Sequence, residues 1–313
     1  MQMRNKSIVV TSAVLIAGSF GSLGPVASAA QIYAVDNATG LQLLSFDSAT
    51  PQTASTITIT GLQAGEQLVG IDFRTSASGI NQNVLYGVGS GSRIYTINAT
   101  TGVATFVAAL TDGVNPVALS GTIFGLDFNP QADRLRIVSD LDQSLRINVD
   151  TGVTVVDTPL AYAPGDLSFG KNPMISGVAY DRKDQSAGTA TSLYGIDSTQ
   201  NALVRIGGPD GTPSPNGGQL TTIGTLGADI NDLVGFNFEP LTANAFASLT
   251  TPGDDASILY TVNIANGQVT AIGDIASNLG TPFIRDIAIA LPEPASLAGL
   301  ALLAPFLARR RVR

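Results

Sequence analysis

Aspartates at one repeated position are the residues of this sequence with the clearest capacity for chemistry. Asp72 and Asp127 each stand third in a motif of glycine, an apolar residue, aspartate and phenylalanine, and Asn237 takes the same place in a later copy. If these side chains converge near a channel, their oxygens could ligate Ca²⁺ or act as acids. They could equally cap turns or hydrogen-bond a neighbouring part of the fold. Only three of the five copies are polar at this position, so we favour the structural role, predict no cofactor and leave the metal content open.

Paired carboxylates offer a second chemistry, the hydrolysis of glycosidic bonds, which requires no histidine. The candidates would be Asp72, Asp127, Asp166 and Asp286. The chain has no His, no Cys, no Trp and only 7 Tyr, so many catalytic classes are excluded and aromatic sugar platforms are sparse. We therefore favour a binding or structural role and keep a glycan hydrolase as the alternative.

Three arginines, Arg134, Arg136 and Arg146, lie within thirteen residues of an otherwise arginine-poor region. They could hold an anionic sugar through bidentate contacts. Because aspartates are interleaved with them, an ion-paired ladder across neighbouring strands is the simpler interpretation. The segment 140–144 has some features of a Ca²⁺ loop but lacks the required glycine and distal glutamate, so it is predicted to be a hairpin turn.

The elements that position these residues follow from an internal repeat. The motif recurs at 70–73, 125–128, 177–180, 235–238 and, more faintly, 286–289, in steps of 55, 52, 58 and 51 residues. Each of the first four copies opens a run of four short strands with period-two alternation and Gly or Asn in the turns. Gly207–Gly218 is a longer, proline-containing loop that we expect to protrude.

The two ends of the repeat region complement each other. The N-terminal unit has three strands and lacks the motif strand, whereas one spare motif strand, 284–290, remains at the C-terminal end. A sheet that closes on itself removes its exposed edges. The sequence therefore predicts an all-β, five-bladed β-propeller over residues 30–290, with the first blade completed by the C-terminal strand. A β-sandwich would not require a period of about 50 residues, and an open solenoid would not require this complementarity of the ends.

One segment carries a family resemblance. The stretches 118–122, 124–130, 133–140, 145–148 and 160–163 resemble a bacterial domain-of-unknown-function family of exported β-propeller-like proteins, family 4394. The resemblance covers about residues 31–290 and implies export and a propeller-like fold. It supplies no activity.

Charge limits the partners of the central region. Residues 31–290 contain 10 basic and 23 acidic residues, a formal charge of −13. A body of this sign repels phosphate backbones, so nucleic acid is not an expected partner. Neutral glycans, matrix components and cations remain compatible with it.

Residues 1–29 have the three parts of a secretory signal peptide. Arg4 and Lys6 precede an apolar run, and Ala27 and Ala29 form an A-x-A site for signal peptidase. The apolar run is too short for a membrane span. Ala30 is the predicted first residue of the mature protein.

Residues 291–313 are similar to the PEP-CTERM sorting signal of Gram-negative bacteria, which an exosortase recognises. The motif Pro292-Glu293-Pro294 precedes an apolar segment, 295–308, and a basic end that includes Arg309, Arg310 and Arg311. An ordinary C-terminal anchor is the alternative. We expect transient membrane anchoring through 295–308, then placement at the cell surface or in the extracellular matrix as a binding or structural module.

Overall fold

The repeated motif forms the innermost strand of each blade in the structure, a computed structural model that describes residues 29–75, 83–182, 190–280 and 282–291. Within these residues the strands form five sheets, four of four antiparallel strands and one of five strands. The motif strands of neighbouring sheets lie side by side in a closed ring. The predicted five-bladed β-propeller is confirmed.

The blades follow the chain in order. Blade 1 contains β1 (Gln31–Asp36), β2 (Gln42–Asp47), β3 (Ala54–Thr58) and the C-terminal β21 (Ile284–Ile289). Blade 2 contains β4 (Leu68–Phe73), β5 (Leu85–Gly89), β6 (Arg93–Ile97) and β7 (Ala104–Ala109). Blade 3 contains β8 (Phe124–Asn129), β9 (Arg134–Ser139), β10 (Ser144–Ile147) and β11 (Thr154–Val156).

Blade 4 begins with a short strand, β12 (Ala161–Tyr162), which the sequence did not predict. It pairs in parallel with the outer strand of the sheet formed by β13 (Ile175–Tyr180), β14 (Leu193–Asp197), β15 (Ala202–Ile206) and β16 (Gln219–Thr225). Blade 5 contains β17 (Val234–Phe238), β18 (Ala245–Leu249), β19 (Ile258–Val262) and β20 (Val269–Asp274).

Closure occurs in blade 1, as predicted. Strand β21 pairs antiparallel with β1, so Ile32 lies opposite Ile289 and Tyr33 opposite Ala288. The order of this sheet is β21-β1-β2-β3, which gives blade 1 the same four-stranded form as its neighbours. The last strand of the domain therefore completes the first blade.

The motif glycines allow the inner strands to approach closely. A Cβ atom on Gly125 would lie 2.8 Å from the Cα of Gly177, and one on Gly70 would lie 2.7 Å from Oδ2 of Asp286. Real Cβ atoms do not approach other atoms this closely, so a larger residue would push the blades apart. The first position of the motif is thus set by contact between blades.

The hydrophobic core is divided into five layers, one between each pair of neighbouring blades. The layer between blades 3 and 4 takes only one residue, Val138, from the four strands of blade 3. Polar side chains occupy much of that interface instead. This interface is where the arginines lie.

Candidate functional site

The residues proposed as a polar cluster near the channel make contacts within the fold. Asp72, Asp127 and Asn237 lie on the inner strands with 0–1% of their surface exposed. Oδ2 of Asp72 accepts a hydrogen bond from the backbone N–H of Phe128 (2.8 Å), and Oδ2 of Asp127 accepts one from that of Tyr180 (2.8 Å). Each aspartate therefore links its own blade to the next. This is the inter-blade role that the sequence favoured.

Asn237 and Asp286 extend the same network. Asn237 donates through Nδ2 to Oδ1 of Asp72 (2.9 Å), from blade 5 to blade 2. Asp286 accepts a hydrogen bond from the backbone N–H of Ile71 (2.9 Å). Asp286 stands first in its motif copy, so this link lies two residues earlier along the inner strands than the links made by Asp72 and Asp127. In the described part of the chain, no group of three or more acidic side chains is placed to hold a metal ion.

The carboxylates considered for glycoside hydrolysis do not form a catalytic pair in a cleft. Three of the four are the buried inter-blade links just described, and the fourth, Asp166, accepts hydrogen bonds from Ser168 and Thr222 near the outer strand of blade 4. Each therefore has backbone donors that hold it within the fold.

The arginines form the predicted ladder only in part. Arg136 and Arg146 are register partners on β9 and β10, and both contact Asp157. Arg136 donates to Oδ2 of Asp157 (2.6 Å), and Arg146 donates to both carboxylate oxygens (2.7 and 2.8 Å). Arg134 was expected in the ladder, but it donates to the backbone carbonyl of Asp133 (2.7 Å) and has no salt bridge among the described residues.

Arg136 occupies a position that is aromatic in every other blade. The residue opposite the third motif position is Tyr33, Tyr86, Tyr194 or Phe246 in blades 1, 2, 4 and 5. In blade 3 it is Arg136, which is 1% exposed. Aligning the second strands of the repeats would have revealed this exception from the sequence.

The proline-containing loop 207–218 does not simply protrude, which corrects the expectation. Pro209 and Pro213 are exposed, but Pro215 is buried and the loop folds against blade 3. Asn216 accepts a hydrogen bond from Nη2 of Arg136 (2.6 Å). This contact spans 80 residues, so no local pattern in the sequence predicts it.

Beside this contact lies a cleft of about 230 Å³ between blades 3 and 4. We call it the arginine cleft; its charged lining residues are Arg134, Arg136, Arg146 and Asp210. Its uncharged polar lining residues are Asn129, Gln131, Tyr180, Thr191, Ser214 and Asn216. Asp210 is paired with Arg182, which leaves the cleft rich in guanidinium groups.

Arg74 is a buried arginine that the sequence analysis did not identify. Its side chain is 2% exposed and donates to both Asp133 and Asp150 of blade 3, with distances of 2.7–2.9 Å. The hydrogen bonds to Asp133 and then to Asp150 raise the pKa of Arg74 despite its burial. Arg74 thus fixes two turns of blade 3 to blade 2.

Comparison with known proteins gives the family. A family model described as "Domain of unknown function (DUF4394)" matches residues 42–288. The chain belongs to this family. The resemblance seen in the sequence is confirmed for the DUF4394 domain, whose activity the family description does not supply.

Solved structures similar to the DUF4394 domain share little sequence with it. A Bacteroides thetaiotaomicron protein of unknown function is 16% identical, with a TM-score of 0.47, and the match covers 85% of this chain and 68% of that one. An auxiliary nutrient binding protein from the same organism is 14% identical, with a TM-score of 0.39; the match covers 69% of this chain and 56% of that one. A Lactobacillus plantarum protein is 14% identical, with a TM-score of 0.38 and coverages of 84% and 100%. No curated protein matches in sequence.

Both ends of the DUF4394 domain border a second cleft, of about 330 Å³. Ala29, Ala30, Ala290 and Leu291 line it together with Glu239. The predicted processing residues Ala27, Pro292, Glu293, Pro294, Arg309, Arg310 and Arg311 lie outside the described residues, as does the predicted membrane segment 295–308. Within the described ranges, no helix has the length and apolar character needed to cross a bilayer.

Proposed function

We propose that this DUF4394 protein is an exported surface module that binds a ligand rather than transforming one. The observation that carries the proposal is the position of the two ends of the folded domain. Both lie next to a predicted processing site, and both emerge on the same face of the propeller. We call this the terminal face; it is formed by the connections between the first and second, and the third and fourth, strands of each blade.

At the N-terminal end, Ala30 belongs to the fold. It is 8% exposed, and its N–H donates to Oγ of Ser48 (2.9 Å). Its neighbour Ala29 is exposed. Signal peptidase cleavage after Ala29 would therefore release a domain that begins with its first buried residue.

At the C-terminal end, Leu291 is held by Asn83. The N–H of Leu291 donates to Oδ1 of Asn83 (2.8 Å), and its carbonyl accepts from Nδ2 (3.2 Å). Exosortase cleavage at Pro292-Glu293-Pro294 would thus leave every strand of the propeller intact. The apolar segment 295–308 would anchor the precursor, and the arginines that follow it would remain in the cytoplasm.

Mass spectrometry of the protein from the surface fraction of its native host tests export and sorting. We expect an N-terminus at Ala30 and a C-terminus at or near residues 292–294. A surface protein that retains Arg313 would contradict the sorting proposal.

Binding is placed ahead of hydrolysis because of the contacts that the carboxylates make. Asp72, Asp127 and Asp286 accept backbone hydrogen bonds between blades and line neither of the two clefts described above. We expect the protein to bind glycans on an array without releasing new reducing ends from them. Release that is lost in Asp127→Asn, in a variant that remains folded, would support the hydrolase alternative instead.

A further inference from the structure

We infer that the arginine cleft binds a singly charged oxyanion, a carboxylate or a sulfate ester, carried by a sugar residue of an acidic polysaccharide. This inference rests on the proposed binding function and names the ligand class and the site. Carboxylated and sulfated sugars share the chemistry that the cleft recognises. The experiment below separates them.

Stability alone does not account for Arg136. Four blades show that an aromatic side chain fits the corresponding position, and Arg136 is nevertheless fully buried there. Replacing a buried ion pair by well-packed apolar groups is often neutral or stabilising. A buried guanidinium with Asp157 and Asn216 around it therefore points to a function at this interface.

The side chains that line the arginine cleft carry an excess of positive charge. Arg136 and Arg146 share one carboxylate, that of Asp157, so this group of three carries one uncompensated positive charge. Arg134 adds a further guanidinium that contacts only backbone carbonyls among the described residues. The formal charge of −13 between residues 31 and 290 repels anions from most of the surface, and the arginine cleft is where the local excess of positive charge favours one.

Two guanidinium groups have N–H donors that are available to a ligand. Arg146 uses Nε and Nη2 on Asp157, its side chain is 33% exposed, and its Nη1 has no hydrogen-bond partner in the described part of the chain. Arg134 is exposed at the same cleft. Planar guanidinium groups suit the oxygens of carboxylates and sulfates, which accept two parallel hydrogen bonds.

Arg136 has a different part in the site. Its donors are already directed to Ser144, Asp157 and Asn216. It therefore positions Asp157 and the loop 207–218, while Arg134 and Arg146 would contact the ligand. The hydrogen bonds from Arg146 to Asp157 raise the pKa of Arg146, so its guanidinium stays charged over the ordinary pH range.

The size of the cleft limits what enters it. Its volume of about 230 Å³ is below the roughly 300–1,000 Å³ of sites for drug-sized ligands. One charged sugar residue, with the rest of the polysaccharide over the terminal face, matches this volume better than a buried oligosaccharide does.

The test is isothermal titration calorimetry of the full-length chain in a mild non-ionic detergent. The first pair of probes is tetragalacturonate and its methyl ester, in which a methyl group on each carboxylate removes the negative charge. The second pair is a κ-carrageenan tetrasaccharide and its desulfated counterpart. We expect one charged probe to bind at least about tenfold more tightly than its neutral counterpart, and the pair that shows this identifies the source of the oxyanion.

The variants are Arg134→Gln and Arg146→Gln, with Arg93→Gln as the matched control. Arg93 is a 37%-exposed arginine of blade 2 that pairs with Glu66, away from the arginine cleft. We expect each cleft variant to weaken binding about tenfold and the control to leave it unchanged. Because Arg134 contacts only backbone carbonyls, its variant keeps the test decisive if Arg146→Gln misfolds.

Equal affinity for the charged and neutral probes would overturn the inference. An equal loss of affinity in Arg134→Gln and Arg93→Gln would also overturn it, as would the absence of binding by either charged probe. The proposed function has a separate outcome. Binding of a neutral glycan that survives both cleft substitutions would refute this site and leave the binding function standing. An array on which no glycan binds would refute the binding function itself.

Discussion

Removal of the closing strand tests whether the C-terminal β21 completes the first blade. The perturbation is a chain that ends at Gly280, compared with a chain that ends at Leu291 and so keeps β21 (Ile284–Ile289). In the intact propeller this strand pairs with β1 and lies between the inner strands of blades 2 and 5. Ile284, Ile287 and Ile289 are 0–1% exposed.

The expected loss is comparable with the whole stability of the domain. Burial of an isoleucine contributes about 1.5–3 kcal/mol, so the three isoleucines alone represent about 5–9 kcal/mol. The deletion also uncovers the edge of β1 and removes the link from Asp286 to Ile71. Because natural domains have unfolding free energies of about 5–15 kcal/mol, we expect the shorter chain to be largely unfolded or aggregated at 25 °C.

The assay is urea denaturation followed by far-ultraviolet circular dichroism, together with size-exclusion chromatography. A milder pair of variants checks the magnitude: Ile287→Ala should lose about 2–5 kcal/mol, whereas Ile272→Ala, at a residue that is 37% exposed, should lose much less. If the chains ending at Gly280 and Leu291 unfold at the same urea concentration, closure by β21 is not needed for stability and the reasoning fails.

Three further predictions concern charged residues. Arg74→Met should lower stability by about 2–4 kcal/mol at pH 7 in urea denaturation, because it strands the carboxylates of Asp133 and Asp150. Arg74 lowers the pKa of Asp150, so the stability that this ion pair contributes is present above the unfolded pKa of about 3.9 and is lost as the pH falls through the lower folded pKa. If Arg74→Met lowers the free energy of unfolding equally at pH 7 and pH 2, this account is wrong. Burial, followed by the nearby carboxylate of Asp197, raises the pKa of Asp142, so its stabilising effect exists below the unfolded pKa and is lost as the pH rises through the folded value. Asp142→Asn should therefore raise the melting temperature at pH 7 but not at pH 3, and a lower value at pH 7 would be the opposite result. Added Ca²⁺ should leave the melting temperature unchanged, because the oxygens of Asp127 and its neighbours in the ring accept hydrogen bonds within the fold; a rise that Asp127→Ala abolishes would reveal a metal site.

The site around Arg136 can be recognised by comparing the repeats but not from the spacing of the arginines along the chain. Arg134, Arg136 and Arg146 are close in sequence, and this spacing predicts a ladder along one sheet. Their sequence spacing cannot show that one of them replaces an aromatic residue between two blades. Comparing equivalent positions of the repeats, here Tyr86 and Arg136, carries that information.

The number of blades, the closure and every strand except the short β12 could be predicted from the amino-acid sequence alone. These features depend on local patterns: alternation within each strand, glycine in the motif and the turns, and a complementary shortage and excess of one strand at the two ends. Each pattern acts within a few residues or recurs at a fixed interval, so it can be read without coordinates.

The side-chain contacts between blades could not be predicted in this way, because they depend on the three-dimensional packing of the blades. Asn216 reaches Arg136 across 80 residues, Asn237 reaches Asp72 across 165, and Asn83 holds Leu291 across 208. The repeat predicts which blades are neighbours, but the contact between two particular atoms depends on blade rotation, loop path and rotamer. The arginine cleft is built from contacts of this kind, because the packing of blade 4 on blade 3 brings the loop of blade 4 against a strand of blade 3.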